Sequence, residues 1–260
     1  MKQNMLIKIG VGISFLGMII VNALANTLPI NGMNTGDISN AYPNLFAPAA
    51  LTFSIWGLIY LLLALYTLYQ FGLFQKRKEV NKEALIEKIG IYFIVTSIAN
   101  IIWIFFWHYN LIGLSLIAMV TILFGLIKIA DIIKKEKLSK KESFLISLPF
   151  SIYFGWITVA AIANITTFLV SINWDGFGIA DVTWTIIILF IGAAIGIFRM
   201  FEDKNIFYGL VFVWAYFGIL IKHLSLDGFY GQYPDIIMTT TFCLITFLVS
   251  IFLLYRNRKQ

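Results

Sequence analysis

Eight stretches of this 260-residue chain are apolar for long enough to cross a bilayer, and that repeated length leaves few folds open. They run over residues 5–24, 49–73, 89–107, 111–133, 144–168, 182–198, 206–221 and 236–255. A helix rises about 1.5 Å per residue and needs roughly 20 apolar residues to span the hydrocarbon. Many of the stretches are rich in Ile, Val and Phe, which alone could suggest strands. Transmembrane strands, however, are only about 9–11 residues long and alternate polar with apolar side chains. The sixth and seventh stretches are the shortest, and the third and fourth meet at His108, Tyr109 and Asn110, a connection tight enough only for an antiparallel hairpin. The expected fold is an all-α integral membrane protein of about eight transmembrane helices, with the lipid bilayer as its first partner.

Charge supports this reading. The chain is 60% hydrophobic and 12% charged, whereas soluble domains average about 45–50% apolar and about 25% charged. A net charge of +6 could suggest nucleic-acid binding, but the cations fall in short clusters between apolar runs and form no stripe on one domain. Lys2 and Lys8 precede or begin the first run, and Lys76, Arg77, Lys78, Lys82 and Lys88 lie between the second and third. Lys128, Lys134, Lys135, Lys137, Lys140 and Lys141 lie around the fourth connection, Arg199 and Lys204 after the sixth run, and Arg256, Arg258 and Lys259 at the end. With alternating spans, eighteen of the nineteen basic residues fall on one side, Lys222 being the exception. The opposite loops carry Asp37, Asp175, Asp181, Asp227 and Asp235. Basic loops face the cytoplasm, so both termini are expected there, in a bacterial plasma membrane. Lys2, Lys8, an apolar core and Ala23-Leu24-Ala25 also resemble a cleavable leader, but the run is long enough to span and is read as a helix. A single cysteine, Cys243, excludes an intrachain disulfide, and two histidines, His108 and His223, make a multi-histidine metal centre unexpected.

The connection 25–48 is the distinctive loop. It holds Pro29, Asn31, Pro43 and Pro48 with further Asn and Gly, residues that favour turns, and it also holds Leu45 and Phe46. Its length exceeds ordinary connections, and its apolar members argue for a folded cap over the outer end of the bundle. No soluble domain and no internal repeat is evident.

Intramembrane polar groups need partners, so they mark helix contacts or a cavity. No ion pair or mid-depth acid is evident: Asp131 and Lys128 sit at a helix end where both can snorkel, and Asp181 is read as an N-cap. What remains is aromatic and amide. Phe53, Trp56 and Tyr60 share a face of the second helix, Asn100, Trp103 and Trp107 of the third, and Trp156, Ala160 and Asn164 of the fifth. Helix direction brings these faces together in the outer half of the bilayer, beneath the loop. Such a pocket suits a flat, largely apolar ligand with a few polar groups. For Trp56, Trp103 and Trp156, packing is an equally open reading. Trp107, Trp174 and Trp184 are assigned to the interfacial belt, Trp214 to packing, His108 to a solvated turn, and Gly192 and Gly196 to a close helix contact.

At these residues the chain resembles the TspO/MBR family, the tryptophan-rich sensory or translocator proteins. The family's second-helix pattern of a proline pair, then Phe, Trp and Leu-Tyr is echoed by Ala47-Pro48, Phe53, Trp56 and Ile59-Tyr60. Its third-helix Leu-Asn, Trp and Phe-Phe are echoed by Ala99-Asn100, Trp103 and Phe105-Phe106, and its fifth-helix pattern by Trp156, Ala160 and Asn164. Ala47 departs from the proline pair, the preceding tryptophan is absent, and the fourth helix lacks a counterpart tryptophan. The resemblance covers residues 5–168 and implies two units: a five-helix bundle over 1–168 with the outer loop 25–48, and three additional helices over 169–260 that could form a surface for a partner or a homodimer.

The resemblance implies a ligand-binding or sensory protein. Its ligand would be a tetrapyrrole, haem or protoporphyrin, held by Phe53, Trp56, Tyr60, Asn100, Trp103, Trp156, Ala160 and Asn164. The cap residues would be Pro29, Asn31, Pro43, Phe46 and Pro48. No cofactor is required for this reading. Two alternatives stand beside it: a transporter or permease subunit for a small hydrophobic substrate, and a Trp-dependent photochemical enzyme that degrades porphyrin. Hydrolytic catalysis is disfavoured, because no Ser/His/Asp or paired-carboxylate set lies in the spans.

Overall fold

A computed structural model describes residues 2–28, 30–73 and 80–257. Pro29, Lys76, Arg77, Lys78, Arg258 and Lys259 lie outside the described residues. Eight helices are long and apolar enough to cross a membrane: Met5–Thr27, Ala50–Gln70, Lys82–His108, Ile112–Lys134, Lys140–Ser171, Asp181–Glu202, Ile206–Leu224 and Pro234–Asn257. They are called the first to eighth helices below. The described residues contain no strand. The third helix starts well before the expected residue 89, because Glu83, Glu87 and Lys88 are good helix formers that carry it past the apolar run. The second opens with a 3-10 turn, Ala50–Ser54, and the fifth contains a π-turn, Ser143–Ser147. An even number of crossings returns the last helix to the end where the first begins.

Local chemistry sets the turns. Asn110 adopts a left-handed φ of 57° after the third helix, and Leu111 N–H bonds back to Phe106 O at 2.8 Å, which closes a tight C-terminal cap. Asn205 starts the seventh helix: its Oδ1 accepts from Phe207 N–H and Tyr208 N–H, while its Nδ2 donates to Ser151 Oγ on the fifth helix at 2.6 Å. Asp181 is not an N-cap. Ala180 holds that position, and Asp181 is the first residue of the sixth helix, where its charge suits the positive helix end.

The fifth helix is the centre of the bundle. Of its most apolar window 78% is buried, against 22% for the first helix. It packs on the fourth, second, seventh and sixth helices, and the third packs on the first and fourth. The eighth packs on the seventh and sixth. The last three helices therefore join the first five mainly through the seventh. That contact needs glycine: a Cβ at Gly155 would meet Val211 at 2.9 Å and Tyr208 O at 3.0 Å, and one at Gly218 would collide with Thr52. Gly192 and Gly196 make the expected close contact, facing Tyr216 and Phe212.

At the end where the chain begins, the fourth and sixth helices are joined by charge. Arg199 Nη2 meets Asp131 Oδ1 at 2.6 Å, and its Nε meets Asp203 Oδ2 at 2.6 Å. Lys134 adds Glu202 at 3.3 Å and Asp203 at 3.5 Å. Asp131 thus does not simply snorkel; it takes a guanidinium from a helix that sequence spacing does not place beside it. Replacing Arg199 with Leu strands Asp131 at the membrane boundary and leaves Asp203 only its longer contact with Lys134, and should cost about 2–3 kcal/mol, given the partial burial of the cluster. Thermal unfolding in detergent checks this; Arg199→Lys should recover only part of the loss, since an ammonium cannot serve two carboxylates in the same forked geometry.

Candidate ligand-binding site

The connection after the first helix is a folded cap, as its composition implies, and it has regular structure of its own. The first helix continues to Thr27, a 3-10 turn follows at Ile30–Gly32, and a short helix runs over Thr35–Ala41. Asn34 N–H donates to Asp37 Oδ2 at 3.1 Å and starts that helix. Asn44 then makes a turn, its Oδ1 accepting from Phe46 N–H and Ala47 N–H, and the chain enters the second helix through Pro48.

The two histidines fasten this cap. His108 Nδ1 lies 3.2 Å from Ile30 O and its Nε2 3.0 Å from Thr35 Oγ1, while Asn31 Nδ2 donates to the His108 carbonyl at 2.9 Å. On the other side, His223 Nε2 lies 2.9 Å from Leu45 O. His108 is therefore buried, not solvated as a residue in a tight turn would be. Trp107 is also buried, not an interfacial side chain. Its Nε1 donates to Thr35 O at 3.1 Å, and its ring stacks on Trp103 at 5.4 Å. Trp214 packs as expected and donates to Thr52 O at 2.9 Å, which pins the seventh helix to the start of the second.

Beneath the cap the three aromatic faces meet. Trp56 stands edge-on to Trp156 at 6.3 Å between ring centroids and at 83°, Phe53 is edge-on to Trp156 at 5.8 Å, and Tyr60 stacks on Trp56 at 5.4 Å. Amides position these faces. Trp103 Nε1 donates to Asn164 Oδ1 at 2.9 Å, Asn164 Nδ2 donates to Ser115 Oγ at 3.1 Å, and Asn22 Nδ2 donates to Asn100 Oδ1 at 2.7 Å. These bonds tie the third, fourth and fifth helices together and the first to the third. Two buried donors nearby, Trp156 Nε1 and Tyr60 Oη, have no hydrogen-bond partner among the described residues.

Two adjoining cavities result. The larger, about 460 Å³, lies under the cap and is lined by Trp56, Tyr60, Trp103 and Phe53, with Asn22, Asn26, Asn34, Asn40, Thr35 and Ser39 supplying polar groups. The smaller, about 60 Å³, continues between Trp103, Trp107 and Trp156, with Ala160 and Asn164 in its wall. Phe53, Trp56, Trp103 and Pro48 line both. The larger falls within the range of about 300–1,000 Å³ usual for small-molecule sites.

Seven of the eight expected lining residues thus border one cavity or the other. Asn100 lies one step behind, its oxygen occupied by Asn22. Of the cap residues, Pro48 borders the site and Asn31 anchors the roof. Pro43 and Phe46 line a different cavity of about 450 Å³, against Trp174 and Trp184, and Pro29 lies outside the described residues. Sequence reasoning did not assign Asn22, Asn26, Trp107, the cap polar groups or Lys222 to the site. The signals were present: Asn22 and Asn26 are one helical turn apart in an apolar helix, and Lys222 breaks the charge pattern.

The sequence pattern of a family described as TSPO-like protein matches residues 8–253, from within the first helix to within the eighth. The chain belongs to that family. Family membership, with eight membrane-length helices, makes this an integral membrane protein and supports a ligand-binding or sensory role in the membrane. The match continues beyond residue 168, where the motif resemblance ends, through the last three helices. No curated protein and no solved structure matches the chain.

The amide links give a direct test. Asn164→Leu leaves Trp103 Nε1 without its acceptor in an apolar setting, while Ser115 Oγ keeps its bond to Ile112 O, and should destabilise by about 1–3 kcal/mol. Adding Trp103→Phe removes one stranded donor, so the double variant should lose less than the sum of the singles. Denaturant unfolding of the three variants in one detergent measures the coupling.

Proposed function

We propose that this TSPO-like protein binds a flat, largely apolar ligand of the tetrapyrrole class, haem or protoporphyrin, in the larger cavity beneath its cap. The observation that carries the proposal is the wall of that cavity. Indole and phenol rings from the second and third helices line a space of small-molecule size, and amides and hydroxyls from the cap line it too. A planar conjugated molecule gains from stacked or edge-on contact with such rings. The unpartnered Tyr60 Oη in that wall supplies a donor that a ring or peripheral oxygen could use, and Trp156 Nε1 supplies another in the smaller adjoining cavity. With eighteen of nineteen cations at the opposite end, the cap faces outward and both termini lie in the cytoplasm. Ligand would therefore enter from the outer leaflet or the external solution, and its capture would be sensed or passed on within the bilayer.

Titration of the purified full chain with protoporphyrin should quench Trp emission with a saturable curve. Trp56→Phe with Trp156→Phe should weaken binding about tenfold, since aromatic contacts contribute about 0.5–1.5 kcal/mol each. Trp184→Phe, in the separate cavity, should leave the affinity unchanged. Equal affinity in the wild type and the Trp56/Trp156 double variant would remove the pocket from consideration.

A further inference from the structure

Lys222 breaks the charge pattern of the chain, and the fold gives it a place. It lies near the end of the seventh helix, at the capped end of the bundle, where the other charged side chains among the described residues are Asp37, Asp175, Asp181, Asp227 and Asp235. Despite that acidic surrounding, the Lys222 ammonium has no carboxylate partner among the described residues. Its recorded contact is the Phe229 ring, 5.9 Å from Nζ to the centroid. It is half-buried, and it lines the 460 Å³ cavity together with Trp56, Tyr60 and Trp103. Among the described residues no carboxylate lines that cavity. The site is thus apolar and aromatic on one side, amide-rich under the cap, and positive at one edge.

A lone ammonium in such a wall makes an anion at the ligand's edge favourable. A charge-assisted hydrogen bond in a partly desolvated site is stronger than the same contact in water, while the five aspartates lie outside the lining and act on the bound ligand only at longer range. Resting on the ligand-binding reading above, we infer that Lys222 is the anchor for a carboxylate on the ligand, so that the site selects planar aromatic acids over neutral analogues. The seventh helix then contributes a specificity-determining residue to a cavity otherwise built by the first three helices and the cap. Gly218 and Gly228 fix this contribution in place. A Cβ at Gly218 would collide with Thr52, and one at Gly228 with the Lys222 carbonyl, so both the approach of the seventh helix and the turn after it exclude larger residues.

The test compares protoporphyrin, which carries two carboxylates, with its dimethyl ester, using Trp quenching of the full chain in detergent. The wild type should prefer the acid, and Lys222→Met should weaken acid binding about tenfold while ester binding stays within twofold, as expected for the loss of one charged hydrogen bond. Lys222→Arg should keep the preference for the acid. Comparing acid with ester in each variant cancels unequal partitioning of the two probes into detergent. Three results would overturn the inference: equal affinity of wild type for acid and ester, acid binding unchanged in Lys222→Met, or equal weakening of both probes, which would mark Lys222 as structural. In each of these the ester still reports on the Trp56 and Trp156 pocket. Binding of neither probe to the wild type would instead overturn the ligand reading, and this inference with it.

Discussion

An amide inside hydrocarbon can send its hydrogen bonds only to another part of the protein, and two such links set the framework of this molecule. Asn22 joins the first helix to the third through Asn100, and Asn164 holds Trp103 of the third helix and Ser115 of the fourth against the fifth. Apolar side chains alone would not fix these helices in rotation, because a Leu contact to lipid and one to a neighbouring helix differ little in energy. Amide links do, and the faces they orient are the faces that carry Trp103 and Trp156. The aromatic geometry follows from the polar geometry.

The last three helices are fastened to that framework by shape. Gly155 lets Val211 and the Tyr208 carbonyl approach the fifth helix, and Gly218 lets Thr52 reach the seventh. Ala49 N–H then donates to the Gly218 carbonyl at 3.0 Å, and Trp214 donates back to Thr52 O. The entry to the second helix is therefore held by the seventh. Phe53 and Trp56 lie within the next turn, so the seventh helix shapes the pocket even where it does not line it. The cap shows the same division, with one histidine on the third helix and the other on the seventh.

The helices were legible because length and apolarity are properties of contiguous residues, and the aromatic faces because helical spacing is local as well. What stayed hidden were pairings between distant parts of the chain. His108 looks like a turn residue beside Tyr109 and Asn110, and nothing near it announces that Ile30 and Thr35 will close over its ring. Trp107 has the composition of a belt residue and becomes a wall because the cap helix lies on it. Asn100 was expected by spacing to line the pocket, but it lies behind the wall with its oxygen taken by Asn22, which drew no notice inside an apolar run. Arg199 and Asp131 read as separate boundary charges until the fold brings the fourth and sixth helices side by side. Lys222 was visible as an exception to the charge pattern, but only the fold shows what it borders.

The tryptophans have an optical consequence. Four of the seven, Trp56, Trp103, Trp107 and Trp156, line the two adjoining cavities. Trp103 and Trp107 lie nearly parallel at 5.4 Å, with 21° between their planes, whereas Trp56 and Trp156 meet almost at right angles. Indole transitions at such separations couple, and the sign and strength of the coupling depend on the angle between the rings. The near-ultraviolet circular dichroism of this protein consequently carries a contribution from its site with no label attached, beside that of Trp174 and Trp184, whose rings lie 5.1 Å apart in the separate cavity.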